Sequence, residues 1–146
     1  MVEAQAGSKE TSQVTLRAGR TSARFLMKYA AVAFSIFIVI VVILADQDAI
    51  PPAIRALYDF ENGDKVGHLI LFGLLNFFLT SAALSALQDR TSIRVALSVG
   101  LILALFIAAE EFSQQYFSAR TFDLIDLAAS YVGLVIGGWV ALRLKK

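Results

Sequence analysis

Residues 65–89 read KVGHLILFGLLNFFLTSAALSALQD, and this stretch decides the fold class of the chain. It holds 23 uncharged residues between Lys65 and Asp89, of which leucine is the commonest. At about 1.5 Å per residue, a helix of that length crosses the roughly 30 Å hydrocarbon core of a bilayer. We therefore predict a transmembrane helix over residues 65–88.

Three further apolar segments flank this helix. Seventeen uncharged residues follow Lys28, fifteen follow Arg94, and a last segment runs from about Asp123 to Arg143. They predict spans at about 26–46, 92–115 and 122–143, preceded by a flexible cytoplasmic tail over residues 1–23. A signal peptide is the alternative for the first segment, but its basic leader is long and no small-x-small cleavage site follows. The predicted fold is an all-α membrane protein, a four-transmembrane-helix bundle over residues 24–146.

Composition agrees with a membrane domain and excludes several classes of function. Hydrophobic residues make up 58% of the 146, which is more than the interior of a soluble domain of this length needs. The chain has no cysteine and one histidine, which excludes disulfides, thiol catalysis and a metal cage of several histidines. Basic residues stand at the ends of the spans, so we expect no nucleic-acid partner.

The distribution of charge predicts the orientation in the membrane. Ten of the thirteen lysines and arginines fall on one side of the four spans: Lys9, Arg17, Arg20, Arg24, Lys28, Arg90, Arg94, Arg143, Lys145 and Lys146. The positive-inside rule places that side, and with it both termini, in the cytoplasm. The other side carries nine of the twelve acids: Asp46, Asp48, Asp59, Glu61, Asp64, Glu110, Glu111, Asp123 and Asp126.

The Glu110-Glu111 pair is the least expected of these acids. Only fifteen uncharged residues separate Arg94 from Glu110, so a helix of about 22 Å leaves the pair near or below the outer membrane boundary. The pair also ends its helix, where the macrodipole disfavours negative charge. Compensating groups are expected nearby, and Lys65, His68 and Arg120 are the candidates at that depth.

Helical geometry indicates which outer side chains share a face. At about 100° per residue, each of the last three spans groups its polar residues within an arc of about 100° or less. The groups are Lys65, His68, Phe72 and Asn76 on the second span, Glu110, Glu111 and Gln114 on the third, and Asp123, Asp126, Ser130, Gly133 and Gly137 on the fourth. We therefore predict that the polar ends of the three helices converge in one pocket inside the bundle. Nine residues are predicted to form it: Asp64, Lys65, His68, Glu111, Gln114, Arg120, Asp123, Asp126 and Ser130.

Structural roles account for several of these residues equally well. Asp64 and Asp123 stand where helices begin and can cap free backbone amides. His68 can be a satisfied buried histidine, and Arg120 can form an ion pair that only stabilises the fold. Gly133 and Gly137 continue a small-xxx-small series from Ala129, which is typical of helix packing. Asn76 is predicted to make an interhelical hydrogen bond.

The order of these residues resembles the two signatures of the VanZ-like family, which is named after a teicoplanin-resistance protein. The first corresponds to Asp64-Lys65-x-x-His68-x-x-x-Phe72. The second corresponds to Glu111-x-x-Gln114, Arg120-Thr121-Phe122-Asp123-x-x-Asp126 and Gly133-x-x-x-Gly137. The resemblance covers about residues 60–140 and implies a protein of the cell envelope, with an expected effect on glycopeptide susceptibility. It supplies no reaction.

The chain departs from the family pattern at three points. Ser130 stands where the family usually has asparagine, which keeps a hydrogen-bonding group but removes the amide. The stretch from Tyr116 to Ala119 replaces a common Pro-Gly turn. The Glu110-Glu111 doublet leaves the register of the motif glutamate open, although the spacing from Gln114 to Arg120 favours Glu111.

Three hypotheses for function remain. The first is a non-enzymatic envelope protein of the cytoplasmic membrane, whose pocket binds a lipid-linked or cell-wall ligand or a partner protein. The second is an intramembrane enzyme that uses Glu111, His68 and Asp126 as acid–base groups, or a cation held by Glu111, Asp123 and Asp126. The third and least favoured is a small oligomeric transporter, since the inner half lacks a matching polar set. No cofactor is expected, membrane lipids are the expected surroundings, and the oligomeric state stays open.

Overall fold

The computed structural model describes residues 2–88, 90–117 and 121–145, with side chains described for 22, 24–88, 90–117 and 121–145. These residues form five α-helices and one short 3-10 helix, and the described part of the chain contains no strand. The helices are α1 (Val2–Asp46), α2 (Pro52–Arg55), α3 (Gly63–Ala86), α4 (Ser92–Ser113) and α5 (Leu124–Leu144), and the 3-10 helix covers Gln114–Tyr116.

Four segments are long and apolar enough to cross a membrane: Arg24–Asp46, Gly63–Ala86, Ser92–Tyr116 and Leu124–Leu144. Large apolar side chains such as Leu101, Phe106 and Val135 remain exposed along them, as expected of helices that face lipid. The predicted all-α four-helix membrane bundle is therefore confirmed, and the chain is a multi-pass membrane protein. Each predicted boundary lies within two residues of the observed one.

The amino-terminal segment differs from the sequence-based prediction. Residues 1–23 were predicted to be a flexible tail, whereas the backbone from Val2 continues without a break into the first membrane span and ends at Asp46. The segment contains no proline that would interrupt a helix. Starting a helix is unfavourable, but extending one is not, so the membrane span can serve as the nucleus from which the helix extends through these residues. Residues 2–23 are too polar to belong to the candidate membrane span, which begins at Arg24, but they continue the same helix.

The connection between α1 and α3 turns twice. Pro51 is the N-cap of the short helix α2, and Pro52 is its first residue, where proline is tolerated. Asn62 then adopts a left-handed backbone conformation with φ of 61°, and Gly63 follows it. A Cβ atom at Gly63 would overlap the Tyr58 carbonyl oxygen, so the turn needs glycine there.

The bundle is built around a close pairing of α3 with α5. A Cβ atom at Gly133 would overlap the Leu69 carbonyl oxygen, and one at Gly137 would overlap the Gly73 carbonyl oxygen. The two backbones approach this closely because α5 has a glycine at both crossing points and α3 has Gly73 at the second. Around this pair lies an apolar core drawn from all four spans: Ile38, Phe72, Leu75, Leu103, Ile107 and Leu134.

Near the middle of the two helices, a buried polar contact adds to their pairing. Asn76 donates from Nδ2 to the Leu134 carbonyl oxygen at 2.7 Å, which confirms the predicted interhelical hydrogen bond. Its Oδ1 accepts from the Thr80 hydroxyl at 2.8 Å. Both side chains are thereby satisfied at a depth where water is absent.

Candidate functional site at one end of the bundle

The beginnings of α3 and α5 and the end of α4 meet at one end of the bundle. We call the side chains that meet there the polar cluster: Asp64, Lys65, His68, Glu111, Gln114, Asp123, Asp126 and Ser130. Eight of the nine residues that the sequence placed in a common pocket are thus joined by hydrogen bonds or charge contacts. The ninth, Arg120, lies outside the described residues.

Lys65 is the centre of the cluster's ionic contacts. Its Nζ donates to Asp64 Oδ2 at 2.9 Å, and to Asp123 Oδ2 and Asp126 Oδ1 at 3.1 Å each. The Lys65 side chain is 21% exposed and that of Asp126 is 13% exposed, so these contacts are only partly screened by water. One ammonium group therefore ties the start of α3 to the start of α5.

Asp123 caps α5 and contacts Lys65 at the same time. Its Oδ1 accepts from the Ile125 backbone amide at 2.7 Å, and its Oδ2 faces Lys65. The backbone hydrogen bond, followed by the hydrogen bond from Lys65, holds the pKa of Asp123 below its usual value of 3.8. Capping and participation in the cluster, which the sequence left as alternatives, are combined in this residue.

Asp64 is the more exposed of the two predicted caps. No side chain caps the start of α3, where Asn62 occupies the N-cap position. The Asp64 carboxylate instead contacts Lys65. The capping prediction for Asp123 is therefore confirmed, and Asp64 lies as predicted in the first turn of its helix, one residue after Gly63, where a carboxylate meets the favourable end of the helix dipole.

Glu111 lies at the buried floor of the cluster, with none of its surface exposed. Its Oε1 accepts from the Asp123 backbone amide at 2.8 Å, and its Oε2 accepts from Gln114 Nε2 at 3.3 Å. The same Gln114 amide donates to Glu110 Oε1 at 3.0 Å. Of the two glutamates, Glu111 thus lies inside the cluster, and half-buried Glu110 lies at its edge.

His68 and Ser130 connect the lower edge of the cluster. His68 Nδ1 lies 3.1 Å from Ser130 Oγ, and Ser130 donates its hydroxyl proton to the Asp126 carbonyl oxygen at 2.9 Å. The Ser130 oxygen therefore accepts, and His68 Nδ1 carries the proton that it donates. Ser130 is fully buried, so a small hydroxyl suffices where the resembled family has an amide.

A cavity of about 360 Å³ opens beside the cluster, and Asp64 belongs to both. Its polar lining comes from the connection between α1 and α3: Asp48, Arg55, Tyr58 and Asp59. Arg55 donates to Asp48, and this contact raises the pKa of Arg55. In the sequence, Asp48 and Asp59 served only to predict the orientation, because only the folded turns bring this connection back over α3.

The predicted glycines lie outside the polar cluster, and the cluster is not arranged as a metal site. Gly133 and Gly137 lie at the α3–α5 crossing and not in the cluster. Within residues 2–88, 90–117 and 121–145, no three histidine, aspartate or glutamate side chains are grouped as a metal site would need. The cluster instead places Lys65 between Asp123 and Asp126.

Comparison with protein-family models, with curated proteins and with solved structures finds no match to this chain. The fold and the cluster therefore define its class: a four-span membrane protein with a charged cluster at one end of the bundle.

Proposed function

We propose that this chain is a VanZ-like protein of the cell envelope, whose polar cluster and adjoining cavity bind an envelope or lipid-linked ligand. The observation that carries the proposal is the continuity of the two features through Asp64. A partly buried, hydrogen-bonded cluster lies beside an open cavity, and convergent polar groups at a cavity are typical of a preformed binding site. A membrane partner protein is the other occupant that such a site admits.

The charge balance favours a ligand that carries an ammonium group. Among the residues that the structure describes, the cavity lining and the ionic partners of Lys65 supply five carboxylates against the two cations Arg55 and Lys65. The carboxylates are those of Asp48, Asp59, Asp64, Asp123 and Asp126. Ionisable groups at membrane depth are expensive, and they usually mark a functional site. Amine-bearing headgroups and cell-wall precursors with free amines supply the complementary charge.

The orientation is part of the same proposal. Arg94, Arg143 and Lys145 lie at the opposite end of the bundle from the cluster, where Lys145 Nζ donates to Ser92 Oγ at 2.9 Å. The positive-inside rule assigns that end to the cytoplasm. The cluster then faces the extracytoplasmic side of the cytoplasmic membrane, where envelope ligands are found.

Binding is better supported than catalysis or transport. Ser130 is fully buried and its hydroxyl proton is already donated to the backbone, so it is unsuited to nucleophilic attack. The deep polar pair Asn76 and Thr80 is buried and mutually bonded. A transport site near the midplane would need polar groups that a substrate can reach.

Glycopeptide susceptibility tests the proposal. Glu111→Gln keeps the size of the side chain but removes the charge beneath the cluster, so it alters the site with little change in packing. We expect cells that express the wild-type protein to differ from empty-vector cells in the teicoplanin concentration that stops growth, and Glu111→Gln to abolish that difference.

Glu61→Gln is the matched control, because it makes the same chemical change at an exposed position in the preceding connection. It should retain the wild-type teicoplanin response. Membrane levels of the three proteins are compared by immunoblot. Equal levels with an unchanged response in Glu111→Gln would contradict the proposal.

A further inference from the structure

A second concave surface lies between α4 and α5, along the lipid-facing side of the bundle. We call it the α4–α5 groove. It encloses about 560 Å³, and its walls are almost wholly apolar. Gly100 and Ala104 on α4 and Gly138 on α5 contribute little or no side chain, so a depression forms between Leu97 and Val135 at its rims.

The floor of the groove is ready for an apolar occupant. Asn76 of α3 forms part of it, but its amide already donates to the Leu134 carbonyl oxygen and accepts from Thr80. An occupant therefore needs no polar group to satisfy this side chain. A hydrocarbon chain fits both the shape and the chemistry of the groove.

One end of the groove is basic. Lys145 reaches from the end of α5 to Ser92 at the start of α4, with Nζ 2.9 Å from Oγ. Arg143 stacks over Trp139, a groove residue, with 5.2 Å from Cζ to the ring centroid. Arg94 is exposed at the same end. In the part of the chain that the structure describes, the salt bridges involve only Arg55 and Lys65, at the other end.

We propose that the α4–α5 groove is a binding site for an anionic phospholipid. One acyl chain lies along Gly100 and Ala104, and the headgroup phosphate contacts Lys145 and Arg143. Basic side chains beside a groove between membrane helices attract anionic headgroups in this way. Trp139 lies at the level where an indole ring normally meets the headgroup region.

The basic end favours a lipid over a second copy of this chain. All copies in a membrane share one orientation, so a copy seated in the groove brings its own Arg143 and Lys145 to the same level. Like charges at that level repel. An anionic headgroup instead neutralises these cations, and the site is independent of the ligand proposed for the polar cluster at the opposite end.

Trp139 provides the probe, because it is the only tryptophan of the chain and it lines the groove. The full-length protein is reconstituted in phosphatidylcholine vesicles that contain a minor fraction of phosphatidylglycerol. In parallel samples one lipid or the other is brominated near the head of an acyl chain, and bromine quenches a nearby indole. We expect brominated phosphatidylglycerol to quench Trp139 more than its mole fraction predicts.

Two variants separate headgroup recognition from chain binding. Lys145→Gln should weaken the preference for phosphatidylglycerol about fivefold, which corresponds to about 1 kcal/mol for one cation near the headgroups. Gly100→Leu fills the groove and should reduce quenching by both lipids. A Cβ atom at Gly100 has as its nearest neighbour Asn76 Nδ2 at 3.9 Å, which is ordinary van der Waals contact, so the leucine side chain can begin without a backbone clash.

Each variant has a matched control. Lys28→Gln removes an exposed cation from α1, which contributes no residue to the groove. Gly67→Leu makes the same glycine replacement where a Cβ atom meets nothing within 4 Å. Both should retain wild-type quenching. Quenching of the wild type by each lipid in proportion to its mole fraction would overturn the proposal.

Two other results would also overturn it. Unchanged quenching in Gly100→Leu would show that the lipid acyl chain does not lie in the groove. A protein dimer, detected by cross-linking, that Gly100→Leu dissociates would assign the groove to a second copy.

Discussion

Lys65 is the residue on which the charges of the polar cluster depend. Its ammonium group contacts Asp123 and Asp126 at the start of α5 as well as neighbouring Asp64. Carboxylates left without a cation at this depth would lose solvation that nothing replaces. The charge balance of the three carboxylates therefore depends on the Lys65 side chain.

Lys65→Gln should destabilise the folded protein by about 2 kcal/mol. This value lies between the ~1 kcal/mol or less of an exposed ion pair and the ~3 kcal/mol or more of a fully buried one. Unfolding in a titration from mild detergent into sodium dodecyl sulfate measures it. Lys28→Gln, at an exposed position of α1, should leave the midpoint unchanged.

A second substitution distinguishes lost charge from lost packing. Adding Asp126→Asn to Lys65→Gln removes one of the orphaned carboxylates and should recover part of the stability. A double variant that is as unstable as the sum of the two single variants would contradict the charge argument.

Asp123 should make the stability of the protein dependent on pH. Because its pKa is lowered in the folded state, its ionised form stabilises the fold above the usual value of 3.8. That contribution decreases as the pH falls below 3.8 and is lost once the pH passes below the folded-state pKa.

The difference in melting temperature between the wild type and Asp123→Asn isolates this contribution from those of the other acids. We expect the wild type to be the more stable at neutral pH, and the difference to shrink towards the acid end of the titration. A difference that stays constant across the range would show that ionisation of Asp123 has no part in stability.

At the scale of elements, the pairing of α3 with α5 determines how the cluster is assembled. Lys65 and His68 lie on α3, whereas Asp126 and Ser130 lie on α5. The side chains reach each other because glycines lower on the two helices allow their backbones to touch. The packing of these glycines, which have no functional side chain, thus positions the polar side chains of the cluster.

Gly137→Ala should therefore cost about 1–3 kcal/mol, the usual range for overpacking. The added Cβ atom meets the Gly73 carbonyl oxygen, which belongs to rigid backbone and can move only with its helix. Gly67→Ala is the control, since a Cβ atom there meets nothing within 4 Å. Alanine at that position should be neutral or slightly stabilising, because it is the better helix former.

Detergent-induced unfolding of both glycine variants measures these effects. Equal stability of Gly137→Ala and the wild type would mean that the two helices can separate without cost, and that the close approach does not hold the cluster in place.

At the scale of the whole molecule, the two ends of the bundle differ in charge. Carboxylates dominate the end that carries the polar cluster, and the cations Arg94, Arg143 and Lys145 lie at the other. Labelling by a thiol reagent can assign the two ends to the two sides of the membrane, because the chain has no cysteine of its own.

Glu61→Cys and Thr91→Cys place single thiols at exposed positions near the two ends. In intact cells a membrane-impermeant maleimide should label the first, and it should label the second only after permeabilisation. The reverse pattern would place the cluster in the cytoplasm and remove the basis for an envelope ligand.

Much of the fold follows from local properties of the sequence. Length and hydrophobicity of the four apolar segments suffice to predict membrane helices, because a bilayer requires each crossing segment to satisfy its own backbone hydrogen bonds. The helical period also grouped Lys65 with His68, and Asp126 with Ser130. The extended helix before Arg24 was missed, because a polar helix in water carries no hydrophobic signal.

What the sequence by itself determined is the number of spans, their approximate ends, and which polar side chains share a face of each helix. Spacing in the sequence already favoured Glu111 over Glu110, and tertiary structure placed Glu111 inside the cluster and Glu110 at its edge. Tertiary structure alone decided that Asp48 and Asp59 line a cavity with Asp64. These outcomes depend on how far α3 and α5 approach and on how the connection after α1 folds back. Contacts between distant segments set both, and no periodicity within one segment encodes them.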